Sequence, residues 1–221
     1  MESYAYGIWL AVVLNVALFG GFVYAFLRPK KRREWRSLGV FAAFITALFT
    51  EMYGFPLTIY LLSGLLGRSY PALDPFSHKF GHLWVVALGG SDAVWAAVTL
   101  VSTALIWGGL LVMWSGWQAI HSASGELVTT GAYARVRHPQ YAGLLVLIVG
   151  FLIQWPTILT VAMAPILAHS YVRLARREET ELLERFGVEY ERYRARVPAF
   201  VPRFRQHEER WGRDDEAHSA S

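Results

Sequence analysis

Long apolar segments separated by short charged ones dominate the chain. The first, from Tyr4 to Leu27, has 24 residues and no charge, and a second run from about Leu38 to Leu62 contains one charge, Glu51. A third covers Ala93 to Met113 and stays free of charge as far as Ile120. Because about 20 apolar residues cross a bilayer as a helix, each segment predicts a transmembrane helix.

The fourth apolar segment, Pro139 to Val172, has 34 residues without Lys, Arg, Asp or Glu. It is too long for one span and short for two full spans. Pro156 interrupts it, because proline lacks the amide donor and clashes with the preceding turn. We therefore predict a tight hairpin of two short helices. An amphipathic cytoplasmic helix follows, and Gly187 is expected to end it.

Basic residues set the predicted orientation. Six of the nine residues from Arg28 to Arg36 are Lys or Arg, and Arg173, Arg176 and Arg177 follow the hairpin at once. By the positive-inside rule, both clusters are cytoplasmic. The predicted fold is therefore an all-α integral membrane protein with about five transmembrane helices, the N-terminus outside and the C-terminus inside. We expect the inner (plasma) membrane of a prokaryote.

Three regions follow from this pattern. Residues 1–113 form three N-terminal transmembrane helices, residues 114–204 contain a loop, the hairpin and cytoplasmic helices, and residues 205–221 form a charged tail that is expected to be disordered. The 221-residue chain has no Cys, which excludes disulfides, thiolate nucleophiles and Cys-ligated metals. Its net charge of +4 gathers beside an apolar segment, which indicates a bilayer surface as its partner and no nucleic acid.

Polar and aromatic residues recur at fixed spacing around the hairpin. Gly131-x-Tyr133-x-x-x-Arg137-His138-Pro139-x-Tyr141-x-Gly143 precedes it, and Glu178-Glu179 and then Phe186-Gly187-x-x-Tyr190-x-x-Tyr193 follow it. Together with Leu127-Val128, this pattern resembles the isoprenylcysteine carboxyl methyltransferase family, whose wider superfamily includes the phospholipid N-methyltransferases. The resemblance covers roughly Trp114 to Pro202.

The resemblance implies an integral-membrane enzyme that uses S-adenosylmethionine. In that family the cofactor lies between the last membrane helices and the cytoplasmic C-terminal helix. The backbone of Leu127 and Val128 would then follow the adenosine, and the two glutamates would hold the ribose or amino group. The implied cofactor contacts are Leu127, Val128, Tyr133, His138, Tyr141, Glu178 and Glu179.

Elementary chemistry agrees with these residue types. Aromatic faces stabilise a sulfonium cation, and a carboxylate accepts both hydrogen bonds of a ribose diol. Methyl transfer needs in-line positioning and exclusion of water rather than a nucleophilic side chain. Two alternatives stay open: His138-Pro139 could simply begin a helix, and Tyr141 could belong to an interfacial aromatic belt.

The methyl acceptor is expected to be a small lipophilic carboxylate, thiol or lipid amine that enters from the bilayer. An anionic acceptor needs a cation, for which Arg137 and Arg173 are the candidates. Glu51 lies within an apolar segment, where a carboxylate is costly. It could act on the acceptor, pair with His169 or make a structural hydrogen bond between helices, and the functional and structural interpretations have equal weight.

A second hypothesis is a small transporter or channel subunit in which Glu51 and His169 line a pathway. His78 and His82 have the spacing of two metal ligands on a helix. Gly81 between them and the lack of a third ligand argue against a metal site. Because the implied site lies within one chain, we expect a monomer.

Overall fold

The computed structural model describes residues 6–27, 32–66, 82–123 and 126–203. These ranges are predominantly helical, and no strand occurs within them. The helices are α1 (Trp9–Leu27), α2 (Arg32–Phe49), α3 (Leu57–Leu66), α4 (Leu83–Ala87), α5 (Asp92–Ser122), α6 (Pro139–Gln154), α7 (Ile158–Phe186) and α8 (Val188–Arg196). A π-helical turn, Thr50–Gly54, extends α2, and a 3₁₀ turn, Gly131–Ala134, precedes α6. His78 and the tail 205–221 lie outside the described residues.

Three helical segments are long and apolar enough to cross a membrane, namely Trp35–Gly54, α5 and α7. Two shorter apolar helices cover Trp9–Ala25 and Pro139–Gln154. Apolar helices therefore stand where the sequence predicts its five spans, and the chain is a multi-pass membrane protein. The number of helices that cross the bilayer and their orientation stay predictions.

The second predicted span is not one continuous helix. After α2 the chain enters the π-helical turn, and Phe55 is extended, with φ −133° and ψ 115°. Pro56 explains the break, because a residue before proline is driven from the helical to the extended region. A separate helix, α3, then begins at Leu57.

Helix α5 extends nine residues past Met113, so the loop expected from Trp114 begins as helix. The hairpin is confirmed: α6 ends at Gln154 and α7 begins at Ile158. Thr157 caps α7 by exchanging backbone-to-hydroxyl hydrogen bonds of 3.0 and 3.1 Å with Thr160. The predicted end of the amphipathic helix is also confirmed, because α7 stops at Gly187, whose φ of 51° favours glycine.

Helices α5 and α6 pack with their backbones in contact. A Cβ atom on Gly109 would lie 2.6 Å from the carbonyl oxygen of Gly143, and one on Gly143 would lie 2.6 Å from that of Gly109. Near the cytoplasmic end proposed by the sequence, Gly116 leaves room for Pro139. Small residues allow this close approach between membrane helices. The packing fixes the start of α6, where the motif residues stand, against the end of α5.

Helix α2 packs against α7, and both contribute to the apolar core. Its fully buried side chains come from α1, α2, α5, α6 and α7 and include Val23, Phe41, Phe44, Ile45, Leu48, Met113, Leu144, Leu147, Leu167 and Tyr171. The apolar half of α7 ends at Val172, and the charged half that follows carries Glu178 and Glu179. The second half of α7 therefore lies beyond the charge-free segment and faces the motif residues that precede α6.

Candidate active site

Glu179 joins the two motif regions. Its Oε1 atom accepts hydrogen bonds from Nε and Nη2 of Arg137 at 3.0 and 2.7 Å, and lies 3.0 Å from Nε2 of His138. Its other oxygen lies 3.6 Å from Nε of Arg194. Glu179 is 8% exposed. Charged hydrogen bonds of this kind are the strong ones, so Glu179 holds the turn before α6 against α7 and α8.

The guanidinium of Arg137 also caps the C-terminal end of α8. Its Nη1 atom donates to the carbonyl oxygens of Arg194 at 3.1 Å and Val197 at 2.5 Å. Four of the five donors of a guanidinium are thereby used within the protein. This internal role reduces what Arg137 can offer to an anionic acceptor.

The segment after α8 closes over the turn before α6. The backbone N–H groups of Arg137 and His138 donate to the carbonyl oxygens of Pro198 and Ala199 at 2.8 and 3.0 Å. The ring of Phe200 packs against that of His138, with 5.6 Å between centroids. The Val197-Pro198-x-Phe200 sequence therefore acts as a strap that holds His138 in place.

Burial and charge set the protonation states of this cluster. Burial alone would raise the pKa of Glu179, but the hydrogen bonds and charges of Arg137 and His138 outweigh it and hold that pKa below its usual value. Burial, followed by the charge of Glu178, raises the pKa of Tyr133. Burial, followed by the charge of Glu179, raises the pKa of Tyr190 to about 12. Both phenols therefore stay neutral near pH 7.

Tyr141 connects Glu178 to the core. Its hydroxyl donates to Glu178 Oε1 at 2.5 Å, and its ring stacks on Tyr171 with 5.8 Å between centroids. The Glu178 side chain is 48% exposed, and its second oxygen lies 3.6 Å from Nδ1 of His138. Tyr141 therefore orients the carboxylate of Glu178, while about half of that side chain stays accessible.

A cavity of about 430 Å³ lies in front of these residues. The predicted cofactor residues that line it are Leu127, Val128, Tyr133, His138, Tyr141 and Glu178, together with Arg137. The ends of α5 and α7 and the start of α8 complete its walls with residues that sequence reasoning did not assign, including Ile120, Gln140, Leu182, Arg185, Tyr190 and Tyr193. The helical period gives a partial signal for Leu182, one turn beyond Glu178.

Three predicted site residues do not line this cavity. Glu179 stands behind its wall and orients Arg137 and His138. Arg173 is exposed on α7. Glu51 is buried in the π-helical turn and accepts a hydrogen bond of 2.7 Å from the backbone N–H of Thr58.

Glu51 lies far from the cavity. The hydroxyl oxygen of Thr58 accepts a hydrogen bond of 2.9 Å from the backbone N–H of Ile158, at the start of α7. His138 lies at the opposite end of α6, a helix of 16 residues, or about 24 Å at about 1.5 Å per residue. His169, further along α7, is exposed. A role of Glu51 or Arg173 in catalysis stays a prediction.

His82 has a structural environment in this fold. Its Nδ1 atom lies 2.8 Å from the carbonyl oxygen of Gln154, and its ring packs on Trp155. Burial lowers the pKa of His82. Within the described ranges, no group of three or more His, Asp or Glu side chains is placed to hold a metal ion.

Comparisons with known proteins give partial similarities. No protein-family model and no solved structure matches the chain. It is 33% identical over 118 residues to the nickel-cobalt-cadmium resistance protein NccN of Alcaligenes xylosoxydans xylosoxydans. This aligned segment covers 51% of this chain and 54% of NccN. It is 35% identical over 77 residues to the protein-S-isoprenylcysteine O-methyltransferase of Schizosaccharomyces pombe. This aligned segment covers 34% of this chain and 33% of that protein. The chain therefore spans about half and about one third of these relatives, and part of it is similar to a membrane methyltransferase.

Proposed function

We propose that the chain is a membrane methyltransferase that transfers a methyl group from S-adenosylmethionine to a small lipophilic acceptor. The observation that carries the proposal is the cavity, into which six of the seven residues implied as cofactor contacts converge from separate parts of the chain. The partial similarity to a protein-S-isoprenylcysteine O-methyltransferase supports the same conclusion.

The cavity fits the cofactor in size and chemistry. Its volume of about 430 Å³ lies in the range of small-molecule sites. The half-exposed carboxylate of Glu178 can accept hydrogen bonds from a ribose diol or an amino group. The faces of Tyr133 and Tyr141 can stabilise a sulfonium cation, and Leu127 and Val128 offer apolar contact to a base.

The residues of the site position the reactants and exclude water. The bound cofactor supplies an electrophilic methyl group. The Glu179–Arg137–His138 cluster holds the loop and α8 together behind the cavity, which fixes its walls before a ligand binds. Preorganised walls hold an acceptor atom in line, which is the main requirement of a methyl transfer. A carboxylate or thiolate acceptor needs no base from the protein, whereas a lipid ammonium must first lose a proton.

Calorimetric titration with S-adenosylhomocysteine tests the cofactor site. We expect micromolar binding by the detergent-purified protein, loss of binding in His138→Ala and Tyr133→Ala, and no change in Glu184→Ala, whose parent side chain is exposed on α7. Absence of binding by a wild-type protein with a cooperative thermal transition would overturn the proposal. Radiolabelled methyl transfer to a carboxylate, a thiol and an amine on the same lipophilic tail then identifies the acceptor class.

The similarity to NccN favours a second candidate, a role in resistance to nickel, cobalt or cadmium. A transport pathway through Glu51 and His169 is the form of that role that the sequence suggests. The described residues do not bring these two side chains to a shared metal site. Cofactor-independent flux of one of these cations into proteoliposomes, lost in Glu51→Gln, would favour this candidate over the methyltransferase.

A further inference from the structure

A second cavity lies among α1, α2, α5 and α6. Its volume is about 390 Å³, which is typical of small-molecule sites. Its walls are mainly apolar and carry no charged side chain, and the polar residues that line it are Asn15, Tyr53, Thr103 and Gln154. Two lining residues, Met52 and Tyr53, come from the π-helical turn, a geometry that is frequent at functional sites.

This cavity is separate from the candidate active site. On α6, Tyr141 lines the first cavity and Phe151 lines the second. Ten residues of helix separate them, or about 15 Å at about 1.5 Å per residue. Between these levels the backbones of Gly109 and Gly143 touch, which leaves no room for a ligand between α5 and α6. What the second cavity binds is therefore independent of the proposed function.

Aromatic rings form one wall of the second cavity. Phe19, Phe49 and Phe151 contact one another with ring centroids 5.0 to 5.8 Å apart. Tyr53 stacks on Phe49 at 6.2 Å. Aromatic walls attract rings through offset and edge-to-face contacts, so a ligand that contains a ring fits this wall better than a lipid chain.

Two amide side chains give the cavity its polarity. Within the described ranges, no protein group makes a hydrogen bond with the side-chain amide of Gln154. The Asn15 amide donates to the carbonyl oxygen of Ala11 at 2.8 Å, which leaves its own oxygen as an acceptor. Among membrane helices, a polar group without a partner costs several kcal/mol, since no water can replace the partner. A ligand with a hydrogen-bonding group satisfies these amides, whereas an ion finds no opposite charge in the wall.

We propose that the second cavity binds a neutral, membrane-dissolved molecule that contains a ring and one hydrogen-bonding group, such as an aryl alcohol. Ring contacts with Phe19, Phe49 and Phe151 provide affinity. Hydrogen bonds with Gln154 and Asn15 provide selectivity for the polar group.

Photoaffinity labelling tests this proposal with three matched probes. They are 4-(trifluoromethyldiazirinyl)benzyl alcohol, 4-(trifluoromethyldiazirinyl)toluene without a hydroxyl, and 4-(trifluoromethyldiazirinyl)benzoate with a charge. The full-length protein in lipid nanodiscs is irradiated with each probe, and the labelled residues are mapped by mass spectrometry. We expect the alcohol to label the second cavity about fivefold more than either other probe, the effect of one net hydrogen bond.

Two adjacent positions give a matched pair of variants. Leu110 lines the cavity, whereas Leu111 is 64% exposed. We expect Leu110→Trp to fill the cavity and abolish its labelling, and Leu111→Trp to leave the labelling unchanged. Gln154→Leu is expected to equalise the alcohol and the methyl probe, and it tests the proposal even if Leu110→Trp is poorly folded. Equal labelling of both Trp variants, or equal labelling by alcohol and methyl probes in the wild type, would overturn the proposal.

Discussion

Arg137 and Glu179 stand 42 positions apart in the sequence, and their side chains share two hydrogen bonds of 3.0 and 2.7 Å. Because the same guanidinium also binds the carbonyl oxygens at the end of α8, this ion pair links the turn before α6 to both C-terminal helices. The position of the cavity wall therefore depends on this buried ion pair, although Glu179 itself does not line the cavity.

Replacing Glu179 is therefore expected to destabilise the protein at this site. Glu179→Ala leaves Arg137 and His138 without their shared acceptor. We expect a loss of about 3 kcal/mol, the lower end of the range for a broken buried ion pair, because Arg137 keeps the carbonyl oxygens of Arg194 and Val197 as partners. Thermal unfolding followed by tryptophan fluorescence measures the loss, with Glu184→Ala as the control. A wild-type transition in Glu179→Ala would contradict this role.

The lowered pKa of Glu179 predicts a pH dependence. A carboxyl group whose pKa is lower in the folded state contributes stability above its unfolded-state pKa, and that stability is lost as the pH falls through the folded-state pKa. We therefore expect the free energy of unfolding to decrease as the pH falls below 4.5, the ordinary pKa of this carboxyl group. Glu179→Gln should remove part of this fall while it lowers stability near pH 7. Parallel pH profiles of the two proteins would exclude Glu179 as the group responsible.

Tyr141→Phe tests whether Glu178 must be oriented. The variant removes the hydrogen bond to Glu178 and keeps the ring that stacks on Tyr171. We expect about three- to tenfold weaker binding of S-adenosylhomocysteine with an unchanged melting temperature. Tyr141→Leu, which also removes the ring, should lower both. Unchanged affinity in Tyr141→Phe would mean that Glu178 needs no partner to bind the ligand.

Two neighbouring glycines test the contact between α5 and α6. A methyl group at Gly109 meets the backbone of Gly143, whereas one at Gly108 has no neighbour within 4 Å. We expect Gly109→Ala to cost about 1–3 kcal/mol through overpacking and to weaken ligand binding, since the start of α6 shifts. Gly108→Ala should be neutral or stabilising by up to about 1 kcal/mol through helix propensity. Similar melting temperatures for the two variants would contradict the close contact.

Variants of Glu51 separate a structural role from a catalytic one. The carboxylate accepts a hydrogen bond from Thr58 at the far end of α6. We expect Glu51→Gln to keep both stability and methyl transfer, because an amide oxygen can accept the same bond. Glu51→Ala should cost about 1–3 kcal/mol without weakening cofactor binding. Loss of methyl transfer in a stable Glu51→Gln would instead identify a base that acts on the acceptor.

Apolar length and proline position determine much of the secondary structure. They predicted the hairpin around Pro156 because a charge-free segment of that length must turn and proline breaks a helix. Apolar length alone missed the break at Pro56, because a segment long enough for one span does not show that the proline rule also interrupts it. It also ended α5 too early, since an apolar helix can continue past the length that a bilayer requires.

The sequence by itself determined the membrane class of the protein and seven of the residues that line the first cavity, because composition and motif spacing are local properties of the chain. Only the tertiary structure decided how each side chain is used. It placed Glu179 behind the wall, engaged Arg137 with α8 and moved Glu51 away from the cavity. These outcomes depend on contacts between residues far apart in sequence, such as Arg137 with Val197, and on the depth at which helices pack. The second cavity had no sequence signal, since its rings and amides come from four helices and a π-helical turn.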